Sequence, residues 1–355
     1  MRYVIGRAVA RAGLPAADPG LRPTGVPGQY AASVARALSE DPRSTAAGLA
    51  VELAEEPWIA TAEVTGPGYL TITVTPEALA SLPVRIATAG PACAASDALR
   101  GLTVPAPPSG DPLAAPSWEE AAAALAAQLT PRLAAAAGAT VALPEDTERT
   151  GLTPQGDQSA VGGEDRVHSV AGGSGPVATG QRQETARIGG YGGSSPREIT
   201  AAAVAFAGYD AVRFSLARAV PGRPVQIDPE IIARHVLDNP AYAVRYAHAR
   251  ASSGVRWAGA PYAGSPPPRE ATAVLLDALS WLPERVAIAA RRGRPDEFAR
   301  YLEELASATI VALISAGDPG SARAPGTDRL SLARAARTGL AAGLGLLGVS
   351  APDRV

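Results

Sequence analysis

Seven side chains in the C-terminal half of the sequence combine flat rings with fixed positive charge. They are Tyr246, His248, Arg250, Trp257, Arg291, Arg292 and Arg294. Aromatic rings can stack on unpaired nucleic-acid bases, and guanidinium groups bind backbone phosphates. The competing interpretation is packing, because aromatic rings fill helix cores and basic residues suit the ends of helices. These residues are therefore candidates for contact with a nucleic acid. The sequence favours a role in packing and a role in binding about equally.

The first four candidates belong to a segment that the sequence marks as a helix. Asn239 is a good N-cap and Pro240 fits the first helical position. Tyr242, Tyr246 and Arg250 then recur every four residues and share one face. Similar signals predict a bundle of helices with short connections, at residues 196–206, 210–218, 229–237, 240–257, 269–290 with a break near 283, 295–315 and 328–347.

The run from Asn239 to Arg250 resembles a helix of arginyl-tRNA synthetases that opens their anticodon-binding domain. The matching residues are Asn239, Pro240 and the run Tyr246-Ala247-His248-Ala249-Arg250. Residues 209–214, 301–306 and 346–352 are similar to further segments of that family. The resemblance implies that residues 196–355 form a helical anticodon-binding domain of the class I, DALR type. It also makes the seven side chains named above candidates for binding tRNA.

The N-terminal region reads as a small α+β domain. Two helices are predicted at residues 29–38 and 44–55, the second capped by Ser44, and an antiparallel hairpin at 58–74 around Gly66-Pro67-Gly68. With Tyr69, the turn resembles the motif of the N-terminal additional domain of the same synthetases, which implies such a domain over residues 1–85. The asparagine that the family carries in this motif is Thr71 here.

Residues 86–195 are predicted to be a linker. Ser117 and Glu120 form a capping box, which predicts a helix over 117–137, and residues 143–195 have too few large apolar side chains to offset the entropy of ordering. The fold class expected is α+β and mostly α, with a small N-terminal α+β domain, a long Gly/Pro/Ala-rich disordered linker and a C-terminal helical bundle.

Several kinds of chemistry are disfavoured by composition. All 32 basic residues are arginine, so no lysine can serve as a nucleophile or a mobile phosphate ligand. One cysteine and three scattered histidines predict no metal site. The region between the two domains is too short for a synthetase catalytic domain, and the His-x-Gly-His and Lys-Met-Ser-Lys-type elements of class I synthetases are missing. We therefore expect no catalytic residues, no cofactor and no ATP site.

Three functions stay open at this point. The first is a non-catalytic synthetase paralogue that binds the anticodon region of tRNA, with tRNA-Arg as the first candidate partner. The second is a regulatory or scaffolding paralogue that binds a full-length synthetase or another protein and no tRNA. The third is a ligase with an unrecognised site. The residues 196–355 carry 19 arginines against 15 acids, which is a weak footprint for nucleic acid. Cytoplasmic localisation without membrane contact is expected.

Overall fold

The computed structural model describes residues 1–142, 196–257, 269–314 and 329–355. The expectation of disorder over residues 143–195 lies outside these ranges. The rest of the expected fold class is confirmed, since a small N-terminal α/β region precedes a larger helical part. None of the helices in the described ranges has the length and apolar character needed to cross a membrane.

The N-terminal region is a four-stranded antiparallel sheet covered by helices. Strands follow the order β1-β2-β4-β3 across the sheet. The hairpin of β3 and β4 turns through Gly66 and Gly68, and Gly68 has no room for a side chain because an added Cβ would lie 2.5 Å from Cβ of Pro42. The elements are α1 (Arg2–Arg11), β1 (Arg22–Pro23), β2 (Gln29–Ala32), α2 (Val34–Leu38), α3 (Pro42–Ala54), β3 (Ile59–Thr65) and β4 (Tyr69–Val74).

The structure differs from the sequence prediction at both helices of this region. The helix predicted over residues 29–38 is strand β2 followed by the short α2, because Gln29–Ala32 pairs with β4 and buries Tyr30 and Ala32 in alternation. Helix α3 begins at Pro42 rather than at Ser44. Its cap is Asp41, whose carboxylate accepts a hydrogen bond from the Ser44 backbone N–H at 3.2 Å.

Residues 86–142 are folded, which differs from the linker expected there. The boundary expected at residue 85 falls inside a helix, and the helix expected at 117–137 is present as α5. Leu99, Leu125, Leu129 and Leu133 are buried among the core residues of the molecule, so burial offsets the entropy of ordering this Ala-rich segment. The elements are α4 (Pro76–Ala89), a 3-10 turn (Gly90–Ala94), β5 (Thr103–Val104), a 3-10 turn (Pro112–Ala114), α5 (Trp118–Ala136) and β6 (Thr140–Val141).

The C-terminal part is a helical bundle with α9 near its centre. Helices α12 and α13 pack along α9, and small residues let the helices approach closely. At Gly343 of α13, an added Cβ would lie 2.4 Å from Cδ2 of Leu302 on α12. The helices are α6 (Pro196–Ala207), α7 (Tyr209–Ala217), α8 (Pro229–Ile232), α9 (Pro240–Arg256), α10 (Arg269–Ser280), α11 (Leu282–Arg292), α12 (Pro295–Ile314) and α13 (Arg329–Leu347).

The N-terminal region docks directly on α10 and α11 through polar contacts. The Arg2 guanidinium binds both carboxylate oxygens of Glu284, at 3.0 and 2.5 Å, and the Tyr30 hydroxyl lies 2.7 Å from Ser280 Oγ. The Gly28 N–H donates to Asp277 at 3.0 Å. These contacts join residues about 250 or more positions apart in the chain, and they fix the sheet against the bundle.

Candidate functional site

Three rings stack along the surface at the start of α9. The His235 ring lies 5.2 Å from the Tyr242 ring with an interplanar angle of 12°, and the Tyr242 ring lies 5.7 Å from the Tyr246 ring at 22°. His235 is exposed, and the two tyrosines are partly exposed. We call His235, Tyr242 and Tyr246 the aromatic ladder. A row of exposed and partly exposed rings is a platform of the kind on which unpaired bases stack.

The buried side chain of Asn239 fixes the backbone on both sides of the ladder's helix start. Its side-chain amide donates to the carbonyls of Ile232 at 2.7 Å and Arg234 at 2.8 Å, and its Oδ1 accepts from the Ala241 N–H at 3.2 Å. The residue is only 4% exposed. One buried side chain therefore caps α9 and also fixes the turn that brings His235 onto Tyr242.

Two arginines, Arg250 and Arg329, lie next to the ladder. Arg250 is exposed one turn after Tyr246, and in the described part of the chain it makes no ion pair. Arg329, at the start of α13, lies close enough that Arg250 contributes to lowering the pKa of its guanidinium, after burial as the larger cause. Arg329 also donates to the Leu313 carbonyl. Two neighbouring cations beside a row of rings suit a ligand that carries both bases and phosphates.

His248 lies on the opposite side of α9 from the ladder. It is 3% exposed, and its Nδ1 lies 2.8 Å from the Pro352 carbonyl oxygen. Because a carbonyl only accepts, Nδ1 carries the proton and Nε2 is the acceptor of the neutral ring. The structure therefore gives His248 a core position, in which it ties α9 to the C-terminal tail.

The burial of His248 predicts a loss of stability in mild acid. Burial lowers the pKa of its imidazole below the usual value near 6.5, despite the hydrogen bond to Pro352. The unfolded state then binds more protons than the folded state between the two pKa values, so the free energy of unfolding falls as pH drops below about 6.5, by at most ~1.4 kcal/mol per pH unit.

Denaturant unfolding at pH 7.5 and 5.5 measures this effect. The protein with His248→Gln should lose less free energy of unfolding between the two pH values than the protein with histidine. Comparing the two proteins cancels the carboxyl groups, which titrate alike in both. Equal losses would contradict the assignment of a destabilising buried imidazolium.

The remaining candidates lie at two helix ends, Trp257 at the end of α9 and the three arginines around the end of α11. Trp257 is the C-terminal cap residue of α9 and is 67% exposed. Arg291 ion-pairs with Asp18 of the N-terminal region. Arg292 lies 3.0 Å from a Glu297 carboxylate oxygen, and Arg294 binds both oxygens of the buried Asp296 carboxylate at 2.7 and 2.8 Å. Of the three arginines, Arg292 is the most exposed, and the other two also serve the fold.

Sequence reasoning singled out Tyr246 and Arg250 on the ladder face but left out His235 and Arg329. Tyr242 shares the four-residue spacing of Tyr246, and that spacing was the available signal. His235 precedes the helix cap, and Arg329 begins a helix about 80 residues further along, so no local pattern connects either residue to Tyr246.

Asp210 and Arg213 of α7 attach the C-terminal end of the chain to the bundle. Asp210 accepts from the Ser350 N–H at 3.1 Å and from its hydroxyl, and it lies 3.4 Å from the Arg245 guanidinium. Arg213 is 6% exposed and donates from Nε to the Leu347 carbonyl at 2.7 Å. Leu347 is the last residue of α13, so a buried cation caps the negative end of that helix. We call these contacts the DAVR clamp.

Comparison with known proteins identifies relatives of the C-terminal helices. Residues 244–355 match the family model of the DALR anticodon binding domain. The chain is similar to an arginine–tRNA ligase of Frankia alni, 39% identical over 163 residues that cover 42% of this chain and 29% of that protein. An arginine–tRNA ligase of Kineococcus radiotolerans is 40% identical over 160 residues, with coverage of 42% and 29%. The chain therefore spans less than a third of the length of these relatives.

A solved structure extends the likeness to the fold of the whole chain. The Thermus thermophilus arginyl-tRNA synthetase aligns with a TM-score of 0.61 at 16% identity, over 100% of this chain and 99% of that one. At this identity the match concerns the fold alone. The family model and the ligases together confirm the resemblance that the run from Asn239 to Arg250 carried.

Proposed function

We propose that this protein binds tRNA through the anticodon-binding part of its C-terminal bundle and does not itself aminoacylate it. The observation that carries the proposal is the aromatic ladder continued by Arg250 and Arg329. Tyr246 and Arg250 lie within the range that matches the DALR anticodon binding domain, and Arg329 lies there too. An anticodon loop presents unstacked bases on a phosphate backbone, and this face offers a partner for each.

The candidate residues take different roles in this proposal. Tyr246, at one end of the ladder, stacks on a base, and Tyr242 holds it in place by stacking on its inner face. Arg250 and Arg329 contact phosphates, and His248 positions α9 from its buried side. Trp257 and Arg292 are exposed enough to extend the contact at the far end of the helix and beyond it. Arg291 and Arg294 keep donors besides those used in their ion pairs, and they remain secondary candidates. tRNA-Arg is the first tRNA to test, since the similar proteins are arginine–tRNA ligases.

The proposal that the chain is not catalytic is supported by two features. The sequence contains no lysine, so a Lys-Met-Ser-Lys-type loop cannot be formed. In the described ranges, the segment between the N-terminal region and the bundle has one pair of parallel strands, β5 and β6, each two residues long. A nucleotide-binding sheet is much larger.

A protein-binding function is the second candidate, and one surface favours it. Ile231, Val236 and Leu237 are 47–52% exposed beside the ladder. Exposed apolar side chains grouped in this way are typical of surfaces that bind proteins. A regulatory paralogue would use this surface to bind a full-length synthetase or another protein.

The deciding experiment is retention of tRNA by the purified protein, with arginine-dependent pyrophosphate exchange measured in the same preparation. We expect tRNA to be retained and no exchange above the background of a mock purification. Exchange that copurifies with the protein through a final denaturing and refolding step would contradict the non-catalytic part. Retention of a synthetase without RNA would favour the protein-binding function.

A further inference from the structure

A cavity of about 820 Å³ lies between the bundle and the segment that precedes it. One wall is α13, another is the end of α4 with the following 3-10 turn, and residues of α5 and the C-terminal tail complete the lining of a site that is open to solvent. The walls consist mostly of small residues, and this is why space remains between tightly packed helices. They include Ala87, Gly90, Ala94, Ala341, Ala342 and Gly345. The volume falls in the range of small-molecule sites.

Guanidinium groups border this cavity on two sides. Arg132 of α5 lines it, as do Arg334 and Arg337 of α13, and all three side chains are exposed. Arg337 lies 3.4 Å from the Asp353 carboxylate, whereas Arg132 and Arg334 make no ion pair within the described residues. With one acid against three arginines, the lining carries a net charge of +2 when the histidine is neutral.

A histidine that can accept a hydrogen bond lies in the same lining. His248 is 3% exposed and borders the cavity. Its Nδ1–H donates a hydrogen bond to the Pro352 carbonyl. Its Nε2 has no hydrogen-bond partner among the described residues. The cavity thus combines unpaired cations, one fixed acceptor and an apolar wall of alanines.

We propose that this cavity binds a small organic phosphate whose body is flat or apolar and carries a hydrogen-bond donor. The phosphate lies between Arg132 and Arg334, where two guanidinium groups from different helices match its double charge. The body lies on the alanine wall of α13, and its donor group faces His248. Because the site lies on the opposite side of α9 from the aromatic ladder, it is separate from the proposed tRNA contact.

Calorimetric titration of the full chain with AMP, ribose 5-phosphate and inorganic phosphate tests this site. AMP offers a flat body with an amino group, and the other two probes lack that body. We expect saturable binding of AMP, tighter by about tenfold or more than either other probe. Equal binding of AMP and inorganic phosphate would overturn the proposal, as would no binding of AMP.

Three variants locate the binding. Arg132→Ser and Arg334→Ser should each weaken AMP binding by about tenfold, because each removes a charge-assisted contact. Arg43→Ser is the matched control, since Arg43 is also exposed and lies outside the cavity. It should leave AMP binding unchanged. A loss of equal size in the control would assign the binding to general surface charge and overturn the site.

Gly345→Leu places an apolar side chain on the α13 wall of the cavity without a clash in the fold. An added Cβ at Gly345 meets nothing within 4 Å, and the residue is helical, so the substitution also removes a glycine from a helix. We expect AMP binding to weaken while the melting temperature stays equal or rises. AMP binding as tight as that of the unchanged protein would overturn the proposal. Displacement of AMP by tRNA at equal phosphate concentration would also overturn it, by assigning the cavity to RNA.

Discussion

Replacing Tyr246 with leucine is expected to weaken tRNA binding by about 10- to 100-fold, since stacking of one base on an aromatic ring contributes roughly 1–3 kcal/mol. Leucine keeps most of the apolar contact that the partly buried tyrosine makes with the bundle, so folding should change little. The change removes the ring that ends the aromatic ladder, one helical turn before Arg250. Dissociation constants measured at one fixed salt concentration report the effect.

Tyr246→Phe is the matched control for this change. Phenylalanine keeps the flat ring and removes the hydroxyl alone, so tRNA binding should stay within about threefold of that of the unchanged protein if stacking is the main contact. Tyr3→Leu is a second control, since Tyr3 is 65% exposed on α1. If the Leu and Phe variants at position 246 bind equally well, base stacking on this ring is contradicted.

Arg213→Met is expected to lower the free energy of unfolding by about 2–4 kcal/mol, because it leaves the carbonyl end of α13 without its buried cation. The guanidinium donates to Leu347 and lies over the Tyr209 ring, with 5.8 Å from its central carbon to the ring centroid. Methionine fills similar space but donates no hydrogen bond. Urea unfolding monitored by circular dichroism gives the difference.

Arg218→Met is the control, since Arg218 is the C-terminal cap residue of α7, the helix that contains Arg213. Arg218 pairs with Glu303, but the two side chains are 36% and 26% exposed. Partly exposed ion pairs contribute about 0–1 kcal/mol, so this variant should unfold close to the unchanged protein. A loss at position 213 no larger than the loss at position 218 would show that the DAVR clamp does not hold the C-terminal tail.

Helix α9 was predictable from sequence because its start is encoded locally. Asn239 and Pro240 are adjacent, and the cap they form needs no distant partner. The same holds for the hairpin around Gly66 and Gly68, whose turn needs glycine at positive φ. Which residues share a face of α9 follows from their spacing along the helix, so the sequence predicts that Tyr246 and Arg250 lie on the same face.

Other features depend on partners far along the chain and had no local signal. Strand β2 is four residues long and is fixed by β4, about 40 residues later, so its sequence suggested a helix. The inward position of His248 depends on Pro352, and the ion pair of Arg291 depends on Asp18 in the N-terminal region. The order of residues 86–142 comes from the packing of α4 on α13 and of α5 on α11.

Sequencing of the RNA that the purified protein retains from total cellular RNA is the sharpest test of a tRNA-binding face on α9. We expect tRNA to be enriched over 5S ribosomal RNA, and we expect the Tyr246→Leu protein to lose this enrichment while the Tyr246→Phe protein keeps it. Equal recovery of tRNA and 5S RNA, or enrichment that is the same in all three proteins, would contradict a tRNA-binding face on α9.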